Sequence, residues 1–299
     1  MLSYRSEISR KIRKYGLLLI TVATSFCTYA QERTDEDVDL ILDELFFSEQ
    51  QFLDEMLQSG ISQDFIYTSF SWNSNTFFSG RSAGVNQFNF IPQITYFNTS
   101  GFNATLSGIY YESFTPRWDF TSLSLSYFNT LGKQNTVFYN IGYTRYFFTE
   151  DVSAFTNSLD LNIGITDAKR TIGTSLSSSY LFGDSNSFQL VSNSFLNFNL
   201  ERTSNMAIRF RPNVSFIIAQ QSISFVRRQL VNGQPQLLLF TNNIFDLLNT
   251  QISFPLSLTT NSWDFEVGYN LNIPNPVVNE SNLPNTNFFS LSIGYMFGL

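Results

Sequence analysis

The sequence predicts an all-β fold: an antiparallel transmembrane β-barrel of about 12 strands, preceded by a short amphipathic acidic helix. Three observations predict it. Beyond residue 65 the apolar side chains recur at every second position, the period of a strand. Aromatic residues fill 17% of the 299 positions, Phe alone supplying 33, while charged residues fill 14%, against about 25% in an ordinary soluble domain. Outside the N-terminus no stretch approaches the roughly 20 consecutive apolar residues that a membrane-crossing helix requires. Low charge and one-faced strands suit a wall with lipid on one side and water on the other.

The formal charge of −7 is unevenly spread. Residues 1–30 carry five bases and one acid, and residues 31–60 carry ten acids with Arg33 as the single base. The remainder is nearly neutral. Nucleic-acid binding therefore has no basic patch to rest on.

The N-terminus reads as an export signal over 1–30. Arg5, Arg10, Lys11, Arg13 and Lys14 form a positive region, Leu17 to Phe26 a short apolar region, and Thr28-Tyr29-Ala30 a small-x-small cleavage site. Cys27 is the single cysteine. A lipoprotein reading through it competes, but Phe26 stands where a small residue is expected. Cleavage after Ala30 leaves a chain without thiols, which excludes disulfides and Cys metal sites.

Residues 31–60 read as a second unit. Val38, Ile41, Leu42, Leu45, Phe52, Leu53 and Met56 recur at helical spacing, with Asp and Glu opposite, and Thr34 stands where a helix cap belongs. The helix either buries its stripe against the barrel mouth, or acts as a lumen plug or as a docking peptide for a periplasmic partner through residues 32–60. Its acidic face argues against anionic lipid headgroups.

Residues 61–299 make the barrel. Leu159, Leu161, Ile163 and Ile165 alternate with Asp160, Asn162 and Gly164; Trp263, Phe265, Val267, Tyr269 and Leu271 alternate with Asp264, Glu266, Gly268 and Asn270. The predicted strands are 65–74, 85–98, 101–113, 117–130, 134–148, 155–166, 169–182, 186–200, 205–220, 248–260, 262–273 and 286–297. Every second connection is a tight polar turn: 98–101, 132–135, 167–168, 202–204 and 260–261. The others are mostly longer: 75–84, 114–116, 149–154, 183–185, 221–247 and 274–285. In bacterial barrels the short set faces the periplasm, so an even strand count places both termini of the mature chain there. The stretch 221–247 reads as an extended hairpin, two further strands or a loop in the lumen, which leaves ten and fourteen strands as alternatives. Pro92, Pro212 and Pro255 fall inside predicted strands, where each removes a ladder donor and marks a bulge. Trp72, Tyr96, Tyr110, Trp118, Tyr127, Tyr146, Tyr180, Trp263 and Tyr295 lie towards strand ends, as interfacial girdles require. A secreted β-sandwich shares the two-residue period and is the soluble alternative.

The Arg-rich signal, the acidic helix and the aromatic strand runs resemble uncharacterised outer-membrane β-barrel proteins of Bacteroidetes-type Gram-negative bacteria. The C-terminal Ser-Ile-Gly-Tyr-Met-Phe-Gly-Leu is similar to the terminal strand that barrel-assembly machinery recognises, although Leu299 replaces the final aromatic. The resemblance implies an outer-membrane location in the lipid bilayer and assembly by that machinery.

Histidine is absent. Ser-His-Asp catalysis lacks its general base, and no phosphate-binding glycine loop precedes a helix. No catalytic residue and no cofactor is predicted; of metal sites, only an all-carboxylate Ca²⁺ site stays open. Four charged residues stand at polar positions of strands: Arg209, Arg211, Asp264 and Glu266. If the apolar set faces lipid, these four line the lumen and meet across strand 248–260. They form either a selective constriction or a salt-bridge cluster that stiffens the wall. Two functions follow: a narrow, porin-like channel for a small solute, or a closed barrel that anchors a partner.

Overall fold

A computed structural model describes residues 64–82, 86–114, 116–132, 134–149, 155–231, 234–277 and 283–299. The expected signal peptide (1–30) and acidic helix (31–60) lie outside the described residues. In chain order the strands are β1 (Phe65–Asn73), β2 (Phe77–Phe78), β3 (Arg81–Ser82), β4 (Asn89–Phe97), β5 (Phe102–Tyr111), β6 (Trp118–Leu131) and β7 (Val137–Phe148). There follow β8 (Phe155–Thr166), β9 (Ile172–Gly183), β10 (Asn186–Leu196), β11 (Phe198–Arg202), β12 (Met206–Phe210) and β13 (Asn213–Val231). The last three are β14 (Gln234–Thr260), β15 (Trp263–Pro274) and β16 (Thr286–Gly298). The β10–β11 run is one wall strand interrupted at Asn197, and β12–β13 is another interrupted at Arg211-Pro212. With β2–β3 set apart as a separate hairpin, twelve wall strands remain.

All neighbours are antiparallel, and β1 pairs with β16 from Phe65↔Gly298 to Asn73↔Ser290, which closes the barrel. Cross-strand partners followed from Trp263 pass through Tyr295, Thr68, Ile94, Leu106, Leu123, Arg145, Asn157 and Phe182 to Asn186. The path starts beside one turn and ends beside a turn at the opposite rim, so the strands tilt as a closed barrel demands.

Residues 221–231 and 234–247 are strand, not loop. The last β10–β13 pair is Gln189↔Ala219 and the first β14–β15 pair is Asn249↔Pro274, yet β13 and β14 stay paired to Val231↔Gln234. They form a two-stranded hairpin that outruns its neighbours. The prolines do not mark bulges. The β4–β5 ladder resumes beyond Pro92 in unchanged register, and β14 keeps its register past Pro255 and opposite Pro212. Proline removes one donor, but its fixed φ still fits an extended chain. The register shifts lie at Ile109/Tyr110, Phe155/Asn157, Asn199/Glu201 and Ile217/Ile218. The first of these turns Trp118 onto the outer face.

The wall has inverted polarity. Phe70, Ile94, Leu106, Leu123, Ile163 and Leu176 are exposed, whereas Thr95, Thr105, Ser107, Ser122, Ser177 and Ser179 are buried. Only the lumenal face has protein over it, so the buried set faces inward. There hydroxyls pair directly across the ladder: Thr95 with Thr105 at 3.0 Å, Ser107 with Ser122 at 2.8 Å and Ser124 with Thr144 at 2.8 Å. The closing pair has its own bond, Ser71 Oγ to Ser292 Oγ at 3.1 Å. Such cross-strand pairs lock register from the inside.

Two apolar layers bracket this polar belt on the side that runs from β1 through β4 to β9. Ile109, Tyr111, Phe120, Tyr146, Phe155 and Leu181 fill the lumen near the longer loops. Phe65, Tyr67, Phe97, Phe128 and Phe138 fill it near the short turns. Tyr146, expected in an outer girdle, is therefore lumenal; Trp118, Tyr127, Tyr180 and Trp263 are exposed on the wall. Glycines seat the inward rings. Phe138 pairs with Gly164 and Phe195 with Gly173, and a Cβ on either glycine would collide with the ring. Absence of a side chain is what lets the ring lie flat on the facing strand.

The short-turn rim is tied by carboxylates. Asp64 accepts from the Thr99 N–H at 2.9 Å, Asn98 Nδ2 at 2.8 Å and the Tyr96 hydroxyl at 3.0 Å, and its own carbonyl accepts from the Leu299 N–H at 3.0 Å. Asp167 folds the β8–β9 turn by accepting from the N–H groups of Ile172 at 2.9 Å and Thr171 at 2.6 Å. The Thr99 N–H holds the Asp64 carboxyl below its ordinary range, helped by the Tyr96, Thr99 and Asn98 side chains. The Ile172 N–H, with Thr171, does the same for Asp167.

Two outcomes are expected. Gly164→Leu will destabilise the barrel by about 1–3 kcal/mol through overpacking, and adding Phe138→Ala will recover part of that loss in urea unfolding from lipid vesicles. A carboxyl whose folded pKa is depressed contributes stability above its unfolded pKa of about 3.9 and loses it as pH falls through the folded value. Thermal stability will therefore drop in that acidic window, and Asp64→Asn with Asp167→Asn will flatten the drop.

Candidate lumenal site

The other side of the lumen, along β12 to β16, is open and polar. A cavity of about 130 Å³ lies there, lined among others by Asn73, Asn249, Gln251, Asn270, Ser290 and Ser292. Alternation puts these small amides and hydroxyls inward from β1, β14, β15 and β16. They bond one another across the ladder: Asn249 Nδ2 to Asn272 Oδ1 at 3.0 Å, and Asn270 Nδ2 to Ser290 Oγ at 3.1 Å. Each amide both donates and accepts, so the lining offers uncharged hydrogen-bonding groups to whatever enters.

Within the β1–β4 connection, expected only as one of the longer connections over 75–84, the β2–β3 hairpin folds inward and roofs the cavity. Phe77, Ser79 and Gly80 line it from above. Thr76 is fully buried; its hydroxyl donates to the Gln87 carbonyl at 3.3 Å and accepts from Asn89 Nδ2 at 3.0 Å. Arg81 donates to the carbonyls of Asn275 at 2.8 Å, Leu248 at 3.3 Å and Ser79 at 3.3 Å. Thr286 donates to the Gly80 carbonyl at 2.8 Å. Gly80 has a φ of 79°, and any side chain there would strike Asn249.

Arg211 and Glu266 line the cavity. The Arg211 guanidinium carbon lies 3.7 Å from the Phe195 ring centroid, so the ring that rests on Gly173 carries a cation on its other face. Arg209 pairs with Ser257, and Ser257 pairs in turn with Glu266. Asp264 pairs with Thr259, whose hydroxyl donates to it at 2.9 Å. The register thus places Arg209 and Glu266 either side of one small residue, Ser257.

A fifth charged residue was not singled out from the sequence. Asp160, on β8, lies in the polar belt between the two apolar layers. It accepts hydrogen bonds from Ser158 at 2.8 Å, Thr144 at 3.2 Å and Ser179. Its signal was its polar position in the run Leu159 to Ile165, the same parity argument that selected the other four. Among the described residues no group of three or more Asp, Glu, His or Cys side chains gathers to hold a metal ion.

No protein-family profile matches the chain, and no curated protein does. Solved structures with a similar strand arrangement include the translocator domain of the autotransporter NalP from Neisseria meningitidis, with 11% identity over 85% of this chain and 96% of that one at a TM-score of 0.48. The NanC porin shares 12% identity over 78% of this chain and 100% of its own at a TM-score of 0.44. An outer membrane channel from Pseudomonas putida F1 shares 8% over 79% of this chain and 96% of its own at 0.42. At this distance function is read from the chain's own side chains.

If Arg81 pins the inward hairpin, Arg81→Ala will raise amide exchange at 77–81 by about tenfold or more, since a hydrogen bond to a charged group contributes about 1.5–3 kcal/mol. Unchanged exchange in hydrogen–deuterium mass spectrometry would show the hairpin to be held by Thr286 and its own packing.

Proposed function

We propose that the chain is an outer-membrane barrel that passes a small polar solute along the β12–β16 side of its lumen. The observation that carries this reading is the amide- and hydroxyl-lined cavity with Arg211 and Glu266 in its wall. The exposed apolar outer face supports a bilayer location, and the periplasm is the natural side for the short-turn rim where Asp64 and Leu299 meet. Arg209 and Asp264 extend the charged zone beyond the cavity. Opposite charges on facing strands would orient a dipolar solute and slow a simple ion of either sign.

A second reading has its own support. The aromatic layers over β4 to β9 and the inward hairpin fill much of the barrel, as a closed membrane anchor would. In that case the acidic residues 32–60 recruit a periplasmic partner.

Conductance of the refolded protein in planar bilayers separates the two. A channel will give discrete steps, and Arg209→Ala with Arg211→Ala will move its selectivity several-fold towards cations. Unchanged selectivity in that variant refutes the charged constriction. A full-length barrel that stays silent, and whose partner binding is lost on deleting 32–60, is the anchor.

A further inference from the structure

We propose, resting on the reading of the barrel as a solute channel, that its lumenal cavity takes an uncharged polyhydroxylated solute of one ring, a monosaccharide or cyclic polyol. The direction of the hydrogen bonds in the lining carries this. Thr286 donates to the Gly80 carbonyl at 2.8 Å, and a carbonyl can only accept. The Thr286 oxygen therefore receives Asn272 Nδ2 at 3.2 Å, and Asn272 Oδ1 receives Asn249 Nδ2 at 3.0 Å. A second row runs the same way, from Gln251 Nε2 to Asn270 Oδ1 at 3.4 Å and from Asn270 Nδ2 to the Ser290 oxygen at 3.1 Å.

Both rows lead from β14 through β15 to β16, so the lining is polarised. At the β14 end stand amide oxygens. Asn249 Oδ1, against Gly80, accepts from none of the described residues. Gln251 commits its nitrogen to Ser253 and Asn270, which leaves its oxygen for a ligand. At the β16 end stand the hydroxyls of Ser290 and Ser292, which accept from Asn270 and Ser71 and keep their own protons to donate. A ligand between them meets acceptors on one side and donors on the other. A hydroxyl serves both, whereas a carboxylate only accepts and an ammonium only donates.

Size and charge agree with that class. The cavity, at about 130 Å³, is near the roughly 150 Å³ that takes a benzene ring. Phe77 and Phe288 also line it, their rings 6.0 Å apart and tilted by 42°. They give the C–H face of a ring an apolar surface, as small-molecule pockets commonly do beside a few polar groups. Arg211 and Glu266 stand in the wall as one charge of each sign. A singly charged solute is drawn by one and repelled by the other, with little to offset the cost of shedding its water.

Two measurements on the refolded full chain test this: solute-driven swelling of liposomes, and saturation-transfer NMR with glucose in detergent. Glucose will enter several-fold faster than gluconate or glucosamine, which share its carbon skeleton but carry a charge, and faster than the zwitterion glutamine. Asn270→Leu, close in volume but without an amide, will lower glucose entry several-fold and weaken its NMR signal while leaving gluconate entry unchanged. Ser290→Ala, which removes one donor and little volume, will do the same to a smaller degree. Swelling that is equal for all four solutes, or fastest for a charged or zwitterionic one, overturns the polyol and leaves the channel standing. Glucose entry unmoved by either variant overturns the site. Glucose binding without swelling in any solute overturns the channel and leaves the site; neither binding nor swelling overturns both.

Discussion

The pairing of β1 with β16 turns a twelve-strand meander into a wall without an edge, and the rest of the structure answers to it. A sheet that faces hydrocarbon has no water to satisfy free N–H and C=O groups, so an open edge would cost several kcal/mol per group. Closure forces the strands to tilt, which staggers the turns along the barrel axis. It also traps an interior that twelve inward-facing rows of side chains must fill or leave as water. The nine residues of β1 bond to β4 on one side and β16 on the other, so the first wall strand and the last become ordered together.

How the interior is filled decides what the barrel can do. On the β4–β9 side, large rings occupy both ends of the lumen, and glycines on facing strands give them room. Between them lies a belt of serines and threonines whose hydroxyls bond across each ladder. On the β12–β16 side many of the inward residues are short amides and hydroxyls, with Arg211 and Glu266 among them, and these leave space. The inward hairpin stands over that open side, held by Arg81 through backbone carbonyls of β14 and the β15–β16 connection. The lumen is thus asymmetric, apolar in two layers on one side and polar on the other.

Much of this was legible in residue order. The twelve strands and the face on which each residue stands follow from a period of two, and the alternation of short turns with mostly longer connections from the breaks between the runs. That parity argument applied equally to Asp160, which was visible in the clearest alternating run. Tyr146 shows the opposite error: position near a strand end predicted an interface, but an aromatic ring is equally at home in a closed lumen. The prolines misled because loss of a donor does not by itself shift register.

What the sequence determined by itself is local: where strands begin and turn, which residues share a face, and that a chain without His has no imidazole to serve as a general base or metal ligand. Tertiary structure alone decided which large side chains fill the lumen, that the β2–β3 hairpin folds inward, and that 221–231 and 234–247 continue as a paired hairpin. The reason is geometric. Alternation assigns a residue to a face, but contact across a lumen depends on how distant strands are staggered by closure, which only the assembled ladder sets.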